Sequence, residues 1–151
     1  MNEVLGYFIT WNTYGTWLPG DQRGWRKRGQ GTLDPRPRLE AWCKDQMVAS
    51  PVLLRDNDRE TVNQACEEHC NVRGWDLMAV NARTNHVHTV VAAFAKPKLV
   101  LDQLKANCTR KLRLQVDPLV RDRTWAKGGD CEILDTEEDL YNAILYVKEG
   151  Q

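Results

Sequence analysis

Two helical stretches with a pair of strand-forming runs between them constrain this chain most. Residues 57–73 place Val62, Ala65, Cys66, His69 and Cys70 on one face at helical spacing. Residues 99–116 do the same with Leu101, Leu104, Cys108, Leu112 and Val116. Asn57 reads as the first N-cap, with Glu60 completing a capping box. Gly74 stops that helix and Pro118 the second. Between them, 75–80 and 86–94 are apolar and β-branched, and the polar 81–85 joins them as a hairpin. Strand formers also fill 4–13, and 131–134 reads as a short strand. A last helix spans 136–149, with Thr136 as N-cap and Glu137, Glu138 and Asp139 where the macrodipole favours acids. The order strand, helix, strand, strand, helix, strand, helix predicts an α+β, ferredoxin-like (split βαβ) fold: an antiparallel sheet with helices packed on one face. Nucleic-acid-binding modules share that topology, so the fold alone selects no function.

Residues 14–51 break the pattern. Gly15, Gly20, Gly24, Gly29, Gly31, Pro19, Pro35, Pro37 and Pro51 exclude a long helix there. We read a long loop insertion in a single domain over 1–151, with room for a short helix at 39–48. Loops of this length in compact domains are usually functional or mobile. Hydrophobic residues make up 42% of the 151 and charged residues 28%, which suits one globular core and argues against disorder. The longest uncharged apolar run, 90–95, is too short to span a bilayer, so no membrane partner is expected. No basic segment precedes an apolar one at the N-terminus, which makes the cytoplasm the expected location. Cys43, Cys66, Cys70, Cys108 and Cys131 are then expected as reduced thiols.

The net charge is zero, which excludes a uniformly basic binder. The charge is unevenly spread, however. Residues 21–38 carry a local +4, residues 105–127 a local +5 and residues 130–149 a local −6. Two basic segments and one acidic one point to a polyanion on one face.

Two of the three histidines are His86 and His88, separated by Val87. On a strand, residues two apart share a face and stand roughly 6.5–7 Å apart along the chain. Two imidazoles so placed can share a divalent ion, while Val87 turns to the core. In the last helix Leu140, Ala143, Ile144 and Val147 form the apolar stripe. Tyr146 falls about 100° or more from its centre, an odd place for a packing residue. Cys66, His69 and Cys70 lack a second ligand pair at zinc-finger spacing and read as a buried helix face. Trp17 and Trp25, amid glycines and arginines, are of a type that stacks on unpaired bases.

With these features in order, the chain resembles the single-tyrosine HUH transposases, a family that includes insertion-sequence and REP-associated tyrosine transposases. The resemblance rests on Phe8-Ile-Thr-Trp-Asn-Thr-Tyr-Gly-Thr-Trp-Leu-Pro-Gly-Asp, Asn85-His-Val-His-Thr-Val-Val, the basic helix over 105–113, Trp125-Ala-Lys-Gly-Gly and Ala143-Ile-Leu-Tyr-Val. It implies a transposase that cuts and rejoins single-stranded or hairpin DNA. It also implies Mg²⁺ or Mn²⁺ on His86 and His88, and Tyr146 as the nucleophile forming a 5′-phosphotyrosine. A third ligand is implied four residues after the tyrosine. Gly150 stands there, which departs from the family pattern and leaves the third ligand open between Gln151 and its alternative, Glu149.

A phenol of pKa ~10 is a weak nucleophile at neutral pH, so a cation beside the phosphate suits the chemistry. Arg23, Arg26, Lys27, Arg28, Lys105, Arg110, Lys111 and Arg113 are the expected DNA contacts. Two rivals accompany this reading. One is a non-catalytic single-stranded nucleic-acid-binding module of ferredoxin-like fold, the other a metal-dependent hydrolase of another class. A homodimer is expected, with residues 87–94 pairing across the axis if they lie at a sheet edge.

Overall fold

The computed structural model describes residues 3–27 and 30–149. The elements run β1 (Gly6–Asn12), β2 (Trp25–Arg26), β3 (Thr32–Leu33), α1 (Pro37–Gln46), α2 (Asp56–Arg73), β4 (Asp76–Ala82), β5 (His86–Ala92), α3 (Pro97–Arg113), β6 (Asp130–Leu134) and α4 (Glu137–Lys148). Four strands form one antiparallel sheet in the order β4-β5-β1-β6. With α2 and α3 as the crossovers, this is the expected split βαβ arrangement.

Alternation along β1 and β5 decides what each face does. Ile9, Trp11, Val87 and Val91 point to one face and meet Val62, Ala65, Cys66, Leu101, Leu104 and Cys108 of α2 and α3 in the main core. Helices on one face describes these two and is corrected for the third. α4 lies on the opposite face, where Ala143 and Val147 bury against Ala79, Val90 and Leu134, flanked by Phe8. Its stripe is the expected one. It docks there because Phe8, Ala79, Val90 and Leu134 give the second face an apolar patch of its own. The α2–α3 contact also absorbs the cysteine and histidine cluster: Cys66 Sγ sits 3.6 Å from Cys108 Sγ, and His69 Nε2 sits 2.8 Å from Gln103 Oε1.

The 14–51 insertion is partly ordered by its own elements, the β2–β3 hairpin and α1. Gly20 packs against the start of α1: its φ is +86°, and a Cβ there would collide with the carbonyl oxygen of Arg36. β5 is an interior strand, flanked by β4 and β1, so pairing of residues 87–94 across a dimer axis is ruled out. Among the described residues, no helix is long and apolar enough to cross a membrane.

α2 starts slightly earlier than its sequence suggests. Arg55, not Asn57, is the N-cap, because Asp58 accepts from the Arg55 backbone N–H at 2.9 Å and from its Nε at 2.8 Å. Asp58 is fully buried and also accepts from Gln115 Nε2 at 2.9 Å. Burial pushes its carboxyl up, but the bonds from Arg55 and Gln115 and the Arg55 charge outweigh it and hold the pKa below the ordinary value. A carboxyl depressed on folding adds stability above its unfolded pKa, and that stability fades as pH falls through the folded pKa. Asp58→Asn is therefore expected to lose about 2 kcal/mol at neutral pH. The deficit should shrink below about pH 4, as read from denaturant midpoints at the two pH values. An equal deficit at both would contradict the charge-based role.

Candidate active site

β1 and β5 pair with Thr10 opposite His88 and Asn12 opposite His86. Both imidazoles therefore project from the α4 face, with ring centroids 4.5 Å apart. His86 Nδ1 lies 2.6 Å from Asn85 Oδ1, and His88 Nδ1 lies 3.1 Å from Thr10 Oγ1. Oxygen partners of this kind orient a ligating imidazole and set its tautomer. His88 is 7% exposed, while His86 is half-buried. Burial, then the positive charges of Arg83 and Arg23, push the His86 pKa below its ordinary value. That keeps the ring neutral at physiological pH, the form that donates a lone pair.

α4 brings Tyr146 over this pair. Its ring centroid is 5.4 Å from His88 and 5.8 Å from Phe8, and Phe8 is itself 5.7 Å from His88. Tyr146 is 43% exposed, so it leans on the histidine with its ring while part of its surface meets solvent. Asn81 Nδ2 donates to the Val147 carbonyl at 2.9 Å and ties the last turn of α4 to β4. One chain therefore assembles two oriented imidazoles and a tyrosine on one sheet face.

A model of the IS200-like transposases matches residues 49–148. The chain belongs to the IS200-like transposase family. No curated protein matches it. Among solved structures it is similar in fold to a REP-associated tyrosine transposase bound to a REP hairpin. That similarity has a TM-score of 0.52 at 12% identity, over 99% of this chain and 72% of the other.

In this transposase the donor set suits a divalent ion in part. Two neutral-capable imidazoles, each with its Nδ1 held, match what such an ion takes from nitrogen. Among the described residues, no third His, Cys, Asp or Glu joins them to make a metal-binding group. Glu149 is exposed at the end of α4, whereas Gln151 lies outside the described residues. The sheet face that a non-catalytic module would offer to bases is partly covered by α4.

The expected DNA contacts scatter. Arg23 donates to Asp21 and to the Thr16 carbonyl, and its charge reaches His86. Arg26 is exposed and lies 3.5 Å from Asp130, the residue paired with Thr10, which brings the β2–β3 hairpin to the β6 edge. Lys27 is exposed, and Arg28 lies outside the described residues. Lys105 Nζ donates to the carbonyls of Ala126 and Gly128 at 3.0 and 2.8 Å and braces that loop. Arg110 bonds Asn107, Lys111 pairs with Glu68 at 3.0 Å, and Arg113 reaches the Arg121 carbonyl. All three stand on α3, across the sheet from the histidines. Sequence reasoning missed Thr10, Phe8, Asn81 and Arg83. The first three become visible only once β1 and β4 are set beside β5 in register.

Removing one neutral hydrogen bond costs about 1 kcal/mol. Asn81→Ala should therefore loosen α4 and speed amide exchange across 137–148 about fivefold relative to α2 and α3. Unchanged exchange in that helix would mean the bond does not anchor it.

Proposed function

We propose that this transposase family member binds single-stranded or hairpin DNA and cuts and rejoins it through Tyr146. The observation that carries the reading is the placement of Tyr146 5.4 Å from His88 and of His88 4.5 Å from His86, ring centroid to ring centroid, on one face. The Tyr146 oxygen attacks the scissile phosphorus. A new P–O bond to the tyrosine forms as the P–O3′ bond breaks. The phenolic proton goes to solvent, and the departing 3′ oxygen takes up a proton to become a hydroxyl. The number of phosphoester bonds is unchanged, so attack by a 3′ hydroxyl in the reverse direction rejoins strands without a nucleotide cofactor.

His86 and His88 would hold Mg²⁺ or Mn²⁺ through Nε2, since Asn85 and Thr10 engage the Nδ1 atoms. Such an ion would supply charge neutralisation at the phosphate, and Gln151 or Glu149, each one residue from the implied position, would be its third ligand. Asn85 and Thr10 keep the imidazoles oriented, and Phe8 fixes the distance between the tyrosine and histidine rings. Arg83 places positive charge on the His86 side, where a phosphate would approach.

Tyr146→Phe should reduce cleavage and covalent capture of hairpin DNA to background while changing binding by less than about threefold, since the ring keeps its packing. Cleavage at the wild-type rate would contradict the role. Because one chain carries the whole constellation, mixing Tyr146→Phe with His86→Ala protein should restore no activity. Recovery on subunit exchange would instead show that the tyrosine helix serves a partner's histidines.

A further inference from the structure

Trp17 and Arg23 sit in the insertion, and neither is explained by the cleavage chemistry. Trp17 is 43% exposed, so burial of its ring is not what keeps it in place. Its indole N–H donates to the Gly24 carbonyl at 2.7 Å, which fixes the orientation of the ring and leaves its remaining surface apolar. The Arg23 guanidinium lies over that ring, 4.1 Å from the centroid. Arg23 is itself held by Asp21 through Nε at 2.8 Å and Nη2 at 2.6 Å, and by the Thr16 carbonyl at 2.7 Å. Asp21 is 5% exposed, so a nearly buried carboxylate already neutralises this arginine. A neutralised guanidinium is a poor phosphate clamp and a good stacking partner.

Hydrogen bonds join this pair to the site. Thr16 Oγ1 donates to the Thr13 carbonyl at 3.0 Å, and the Thr13 N–H donates to the Asn85 carbonyl at 2.9 Å. Asn85 in turn holds His86. The platform is thus tied to the turn that opens the histidine strand.

We propose that Trp17, backed by Arg23, is a stacking subsite for one unpaired nucleobase of the DNA strand that reaches the histidines. The proposal rests on the DNA-cleaving reading for its ligand. Stacking on an aromatic face tolerates any base, so the subsite holds the strand in place without reading its sequence.

The test measures fluorescence anisotropy of a labelled oligothymidylate and of an abasic strand of equal length, all in the Tyr146→Phe background. Trp17→Ala should weaken binding of the base-bearing strand about fivefold to a hundredfold, the range of base–aromatic stacking. Trp17→Phe should retain most of the affinity. Both variants should bind the abasic strand as the parent does. Equal binding of the oligothymidylate by parent and Trp17→Ala would overturn the proposal. An equal loss on both strands would also overturn it, because the effect would then be loop collapse rather than base stacking. Failure of the cleavage reading shows elsewhere, as the absence of a covalent product with the wild-type protein.

Discussion

Antiparallel pairing of β1 with β5 places Thr10 against His88 and Asn12 against His86, and a slip of one residue would turn both imidazoles into the core. The slip is blocked by what the other face buries. Ile9, Trp11, Val87 and Val91 are all 0–1% exposed against α2 and α3. Burying each such side chain favours the native register by about 1.5–3 kcal/mol over leaving it exposed. The same alternation that fills the main core therefore presents the histidines, so the site inherits the rigidity of the two central strands.

The second face needs its own apolar patch to hold the tyrosine. Val90 continues the histidine row of β5, and Phe8 pairs with it on β1. Together with Ala79 and Leu134 they form the seat for Ala143 and Val147 of α4. Tyr146 precedes Val147 by one residue, about 100° round the helix. With Val147 seated, that rotation brings the tyrosine ring to the edge of the patch, against His88. Packing on this face thus does two jobs: it covers the sheet and sets the position of Tyr146.

Much of this was legible in the residue pattern. The two amphipathic helices, the hairpin between them, the Thr136 cap and the α4 stripe all follow from local periodicity and capping chemistry. The pairing of His86 and His88 on one face follows from strand geometry alone. What local pattern cannot convey is which surface covers a stripe. A helix period defines an apolar face and leaves its partner open, which is why α4 was expected beside α2 and α3. Strand order was hidden for the same reason: the apolar run at 87–94 suits an edge that pairs or an interior strand equally, and only the β4-β5-β1-β6 order decides it. Charge pattern in a sequence does not say which basic side chains already have partners within the chain. Arg23, Lys105 and Lys111 read as DNA contacts in sequence, yet each spends its charge on Asp21, backbone carbonyls or Glu68.

In the proposed mechanism the hydroxyl of Tyr146, whose ring stands against His88, takes up DNA. Mass spectrometry of peptides from wild-type protein incubated with hairpin DNA and Mn²⁺ tests this most directly. We expect a nucleotide joined through a 5′ phosphate to Tyr146, on the peptide that carries α4, with a free 3′ hydroxyl on the released strand. Attachment at Tyr141, the more exposed tyrosine of the same helix, or cleavage with no peptide adduct, would contradict it.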